Sequence, residues 1–190
     1  MFRKLLLGLS LVATSLTFTA CNNDDDYYDN WQDYYANNRG QVTFDGVVYN
    51  IKYVNLYRTD QVLGDGSRVY KLDLSTNYLN QNGPVYTDAL FQADIFVPPG
   101  TTISGFYDMA DVNNRTFNFA AYLEGVTVNG NQVSEPTFQI YNDEFLSRTM
   151  NLNLRTDNFA DVEINGVVKI GDSANTPFNL WFSGYVDTNF

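Results

Sequence analysis

The chain has 190 residues, of which 11 are basic and 22 acidic, for a net charge of −11, with one cysteine and no histidine. A protein this acidic is repelled by nucleic acid and by anionic headgroups, which sets nucleic-acid binding aside. Without histidine, Ser-His and Cys-His nucleophiles and the common zinc sites are unavailable.

Arg3 and Lys4 open the chain, and an apolar run of sixteen residues, 5–20, ends against Cys21. A basic start, an apolar stretch and small residues before a cut site describe a secretory signal. The run is short of the roughly 20 residues a spanning helix needs. With Thr19 and Ala20 before Cys21, and Phe18 where leucine is usual, the segment resembles a bacterial lipoprotein box. The resemblance implies cleavage ahead of Cys21 and acyl chains on that residue, so that the partner is a membrane. An ordinary signal beside an incidental cysteine is the alternative. A lone thiol in an oxidising compartment argues against it.

Asn22-Asn23-Asp24-Asp25-Asp26 follows at once. This acidic cluster resembles the export segment of surface lipoproteins in Bacteroidota, implying an outer-membrane protein that faces outward. A plain solvated tether explains the same residues. Removing residues 1–20 takes away Arg3 and Lys4, leaving nine basic residues against 22 acidic ones, a net charge of −13. Residues 21–38 lack aliphatic side chains to bury and read as a flexible acidic, aromatic tether. The Tyr pairs and Trp31 within it are either unengaged or docked on the domain or on a sugar. The folded domain is expected over residues 39–190.

From Gln41 onward the signal is period two with frequent turns. Val42-Thr43-Phe44 and Val47-Val48-Tyr49 flank Asp45-Gly46, a dipeptide suited to a type I′ hairpin. Residues 47–58 are ambiguous: Tyr49, Ile51, Tyr53 and Tyr57 share one face, and Val48, Val54 and Leu56 the other. Both faces are covered there, or a bulge shifts the register. Leu63-Gly64-Asp65-Gly66-Ser67 reads as a longer hairpin tip. Tyr70, Leu72 and Leu74 then share a face, as do Phe91, Ala93, Ile95 and Val97. Pro98-Pro99-Gly100 ends a strand because proline cannot donate to the ladder.

Further on, Phe117, Phe119, Ala121 and Leu123 alternate with polar residues, and Asn129-Gly130 marks a turn. Met150, Leu152 and Leu154 repeat the alternation, and Asn165-Gly166 is expected to divide two strands as a hairpin turn. Phe178, Leu180 and Phe182 close the series. About ten short strands, each with one apolar face, predict an all-β protein, an antiparallel β-sandwich. A lipocalin-like barrel is the alternative, although its early Gly-x-Trp is missing. A transmembrane barrel would alternate too, but several strands look shorter than the roughly 9–11 residues of a span. In layout, residues 41–190 resemble the small all-β lipoproteins of Bacteroidota, from the Asp-Gly hairpin through Gly105-Phe106-Tyr107 to the strand at residues 178–184. That likeness carries no catalytic motif.

Carboxylate pairs could hydrolyse glycosides without histidine. Asp94, Glu124 and Glu163 sit on strands, and Glu135, Asp143 and Glu144 near turns, all outward by periodicity, so a noncatalytic protein is expected. Asp and Asn are plentiful but form no calcium loop, and no metal or other cofactor is implied. Trp181 and Tyr185 fall on the outer face of the last strand, roughly 13 Å apart at strand rise, with Tyr122 outward on another. Flat rings along a sheet can stack on sugars while Asn118 or Asn179 bonds hydroxyls. Alternatively, the rings only cover a sheet face. Asp172-Ser173-Ala174 resembles a Bacteroidota O-glycan attachment site at Ser173, while the Asn114-Arg115-Thr116 sequon is a chance match. The expected function is a binding or accessory module for glycans or within a surface complex, the alternative a structural or adhesive surface subunit.

Overall fold

The computed structural model describes residues 35–79, 83–111, 115–130, 132–134, 136–170 and 174–190, without the side chains of 170, 174 and 189. The signal segment, Cys21, the acidic cluster, Trp31, Asn114, Glu135 and Ser173 lie outside the described residues.

Among the described residues there are thirteen strands: β1 Arg39–Phe44, β2 Val47–Asn50, β3 Tyr53–Val62, β4 Arg68–Ser75, β5 Val85–Val97, β6 Gly105–Asp108, β7 Thr116–Asn129, β8 Gln132–Ser134, β9 Phe138–Ile140, β10 Phe145–Leu154, β11 Phe159–Ile170, β12 Ala174–Tyr185 and β13 Asp187–Asn189. One sheet runs β2-β1-β12-β11-β10-β6, the other β13-β3-β4-β5-β7-β8, with β9 also on β7. Every pairing is antiparallel except β13 on β3. The two sheets pack face to face and neither closes on itself, so the fold is a β-sandwich and not the lipocalin-like barrel.

The alternation decides which side chains meet. Phe91, Ala93, Ile95 and Val97 of β5 and Phe117, Phe119, Ala121 and Leu123 of β7 face Met150, Leu152, Val162, Ile164, Phe178, Leu180 and Phe182 of the opposite sheet. At the centre, the Phe178 ring lies 5.4 to 5.9 Å from those of Phe119, Phe145 and Phe91, all tilted edge to face. That geometry suits the ring quadrupole, and each buried aromatic removes 150–250 Å² or so from water.

The turns divide into those that match the reading and those that do not. Asp45 (φ 46°) and Gly46 (φ 77°) both take positive φ and join β1 to β2 in a two-residue turn. Leu63 donates to Ser67 across the next hairpin tip, and β5 stops at Val97 before the prolines. Gly130 is in the turn after β7, but Asn129 still pairs with Gln132, so the loop starts one residue later than expected.

Asn165-Gly166 is not a turn. β11 runs through it from Phe159 to Ile170, with Asn165 opposite both Thr149 and Asn179. The glycine serves a close approach instead. A bulge in β10 between Phe145 and Ser147 presses on it, and a Cβ at Gly166 would lie 2.8 Å from the Ser147 carbonyl and 3.2 Å from the Phe145 ring. In the ambiguous stretch, residues 47–58, both faces are covered at Ile51, Tyr53, Val54 and Leu56, and the cause is a change of sheet. The chain leaves the first sheet after Asn50 and enters the second at Tyr53. Ile51, fully buried at this crossing, donates its N–H to Gly40, and Lys52 donates to Ser75. Inward and outward faces exchange because the strand changes sheets.

The compact unit spans Tyr35–Phe190. Asn38 is buried and its amide bonds three backbone groups: Nδ2 donates to the carbonyls of Lys52 (3.0 Å) and Tyr185 (2.9 Å), and Oδ1 accepts from the Tyr185 N–H (2.7 Å). Tyr35 sets its ring 5.6 Å from that of Tyr53, edge to face.

Candidate functional site

The second sheet carries a groove of about 570 Å³ on its outer face. Its floor is three strands wide. In one cross-strand row Asp73 of β4 stands opposite Gln92 of β5, which stands opposite Ala120 of β7; in the next, Lys71, Asp94 and Asn118 align in the same way. Ala120 has no side chain beyond Cβ, and that shortage of bulk opens the trough. Tyr122 flanks it on β7, and Tyr141, Asn142 and Asp143 form a wall beyond the β7 edge.

The wall is held firmly. Residues 142–144 make one 3-10 turn, closed by a reciprocal pair: the Tyr141 N–H donates to the Glu144 carboxylate at 2.6 Å and the Glu144 N–H to the Tyr141 carbonyl at 3.0 Å. Asn142 Oδ1 accepts from the Phe119 N–H, and Arg148 donates to the Asn142 carbonyl, both at 3.0 Å. Arg148 is a core-facing arginine of β10, 3% exposed, whose Nη2 also donates to the Phe117 carbonyl at 2.7 Å. Between Phe117 and Phe119 the β7 edge has no strand partner among the described residues, so these two side chains satisfy its backbone groups. Burial pushes the Arg148 pKa down to about 10, which leaves it charged at neutral pH.

Asp73 dominates the electrostatics. It is 8% exposed and accepts a hydrogen bond from Gln92 Nε2 at 2.9 Å. Burial pushes its pKa above the ordinary carboxylate value, assisted by Asp94 and opposed by the Gln92 bond and Lys71. The Lys71 ammonium is 3.6 Å from Asp94 in a half-exposed pair, which contributes little. Burial also raises Tyr122, with Tyr141, Asp94 and Asp73 adding to it, and Tyr57, opposite Lys71 on β3, is pushed up to about 12 by burial, Asp73 and Asp94. Both phenols therefore stay protonated near neutrality and can donate hydrogen bonds.

Tyr122, Trp181 and Tyr185 do not come together. Tyr122 lies on the second sheet, half-buried, its ring 6.5 Å from that of Tyr141 and packed against the small apolar cluster of Leu90, Val126 and Val128. Trp181 and Tyr185 lie on the outer face of the first sheet. Trp181 is 46% exposed in a flat cross-strand row that reads Asn50, Gln41, Trp181, Glu163, Asn151, Phe106. Tyr185 is tied down, with its ring 5.5 Å from Phe159. Asn179 shares this flat face, whereas Asn118 lines the groove.

Asp94 and Asp143 line the groove too, while Glu163 sits in the Trp181 row and Glu124 is exposed at a bulge with φ 61°. Asp73, Gln92 and Tyr141 were not anticipated, because only the register of β4, β5 and β7 makes them neighbours. Among the described residues no group of three or more acidic, histidine or cysteine side chains is arranged to hold a metal. The fold and groove define an antiparallel β-sandwich with a polar, tyrosine-walled trough on one sheet. Comparison with protein-family models, with curated proteins and with solved structures finds no match for this chain.

Proposed function

We propose that this protein is a noncatalytic glycan-binding module, held at the outer face of the outer membrane by acyl chains on Cys21. The observation that carries the binding half is the groove: a concave site of about 570 Å³ lined by phenols, carboxylates and amides. That size falls within the range of small-ligand sites, roughly 300–1,000 Å³. Saccharides offer hydroxyls to carboxylate and amide groups and apolar ring faces to aromatic rings, and this lining supplies both. Support for the anchor lies in the sequence alone: Arg3 and Lys4, the apolar run, the single cysteine after Ala20, and Asp24-Asp25-Asp26.

A glycan array probed with the full-length protein in detergent tests the binding. Tyr141→Ala, at an exposed position, should lower the signal about five- to tenfold, as expected for loss of a stacking ring worth about 1–1.5 kcal/mol. Trp181→Ala should leave it intact. The opposite pattern moves the site to the flat face of the first sheet. No signal on any glycan favours a structural or adhesive subunit instead. Mass spectrometry of the mature amino terminus tests the anchor, and an unmodified thiol at Cys21 would remove it.

A further inference from the structure

Resting on that reading, we infer that the saccharide in this groove carries a free amine, and that Asp73 holds its ammonium. The argument begins with an imbalance of charge. Three carboxylates line the groove, Asp73, Asp94 and Asp143, against one cation, Lys71. That cation faces Asp94 at 3.6 Å. Asp73, the most deeply buried of the three, has Gln92 as its one hydrogen-bond donor among the described residues, and Gln92 is neutral.

A buried carboxylate whose neighbouring ammonium, Lys71, is paired with another carboxylate is unstable where it stands, since desolvation is only partly offset by Lys71 and one amide bond. The cost explains why burial raises the Asp73 pKa. A ligand hydroxyl would add a neutral hydrogen bond and leave the charge uncompensated. A ligand ammonium adds a charge-assisted bond, roughly twice as strong, and neutralises the site.

The walls favour the same ligand. Tyr122 and Tyr141 stand edge to face, presenting ring surfaces that attract cations as well as sugar faces. Anionic sugars, by contrast, meet Asp73, Asp94 and Asp143 and are repelled. The groove therefore ranks its ligands: amino sugar first, neutral or N-acetylated sugar second, uronic or sulfated sugar last.

The test compares glucosamine oligomers with N-acetylglucosamine oligomers of equal length, and both with spermidine, by calorimetry on the full-length lipoprotein in neutral detergent. The glucosamine oligomer should bind about tenfold tighter than its acetylated partner, the gain expected when a hydrogen bond becomes charge-assisted. Asp73→Asn, which keeps an acceptor for Gln92, should bring the two within about twofold, because an amide cannot pair with the ammonium charge. Asp143→Asn, on an exposed turn where folding is not at stake, should narrow the preference less. Trp181→Ala should not change it.

Equal or tighter binding of the acetylated oligomer overturns the amine inference and leaves the glycan reading standing. Spermidine binding as tightly as the glucosamine oligomer keeps the ammonium site but removes the saccharide. Failure of all three probes to bind overturns the amine inference, and the glycan reading then stands or falls by the array. A preference that survives Asp73→Asn removes Asp73 from the role.

Discussion

Asp73 illustrates how a single residue can oppose the fold that positions it. Its carboxyl has a higher pKa in the folded protein than in the unfolded chain, chiefly through burial. The folded state thus binds the proton more tightly, and ionisation of Asp73 subtracts stability. The penalty is fully present above the raised pKa, shrinks as pH falls, and is gone below the unfolded value of about 4. Asp73→Asn should therefore raise Tm at pH 7, and the gain should fade on acidification to below about pH 4. Thermal melts of the pair across pH 3–8 or so check this, and a gain that grows toward acid would contradict the sign. Arg148 bears a burial cost of the same sign, its pKa being pushed down, but its contacts offset that cost. Its guanidinium closes the carbonyls of Phe117 and Asn142 and lies over the rings of Phe117 and Phe145. Arg148→Met keeps most of the packing but orphans both carbonyls, and should cost about 2–4 kcal/mol in urea unfolding. It should also loosen the groove wall, so saccharide affinity falls with stability.

At the level of strands, period two was enough to assign inward and outward faces. Phe117, Phe119, Ala121 and Leu123 face the core as their alternation requires, and so do Phe178, Leu180 and Phe182. Asp45-Gly46 could be read because a type I′ turn needs two positive φ angles that few other residues accept. Asn165-Gly166 carries the same letters for another reason, since only glycine fits beneath the bulge between Phe145 and Ser147. Local sequence cannot separate the two cases, because the demand at Gly166 comes from β10, a different strand. Gly166→Ala should destabilise by about 1–3 kcal/mol, an overpacking effect, measurable as a lower urea midpoint at unchanged slope. The groove was hidden for a related reason. Lys71, Asp73, Gln92, Asp94 and Asn118 could each be placed on a polar face. Their convergence depends on how β4, β5 and β7 align, and alternation says nothing about alignment between strands.

For the whole molecule, two of the joints between the sheets lie together. The chain crosses from the first sheet to the second at Ile51 and Lys52, and again at Val186 between β12 and β13. Asn38 joins both crossings through Lys52 and Tyr185. Asn38→Ala removes three hydrogen bonds and should cost about 1.5–4 kcal/mol, with amide exchange accelerating first at Ile51, Lys52 and Tyr185. Uniform acceleration across both sheets would mean that the amide does not act as a joint.

The same joint sets a path for mechanical force. Tension applied to the backbone ahead of Tyr35 arrives at Asn38, whose Nδ2 grips Lys52 at the root of β3. From there β3, β4, β5 and β7 are hydrogen-bonded side by side, and drag on anything seated above Asp73 is delivered into those same strands. Asn38 also bonds Tyr185 and is followed at once by β1, so the same pull enters the first sheet as well, and the phenylalanine layer between the sheets shares the shear.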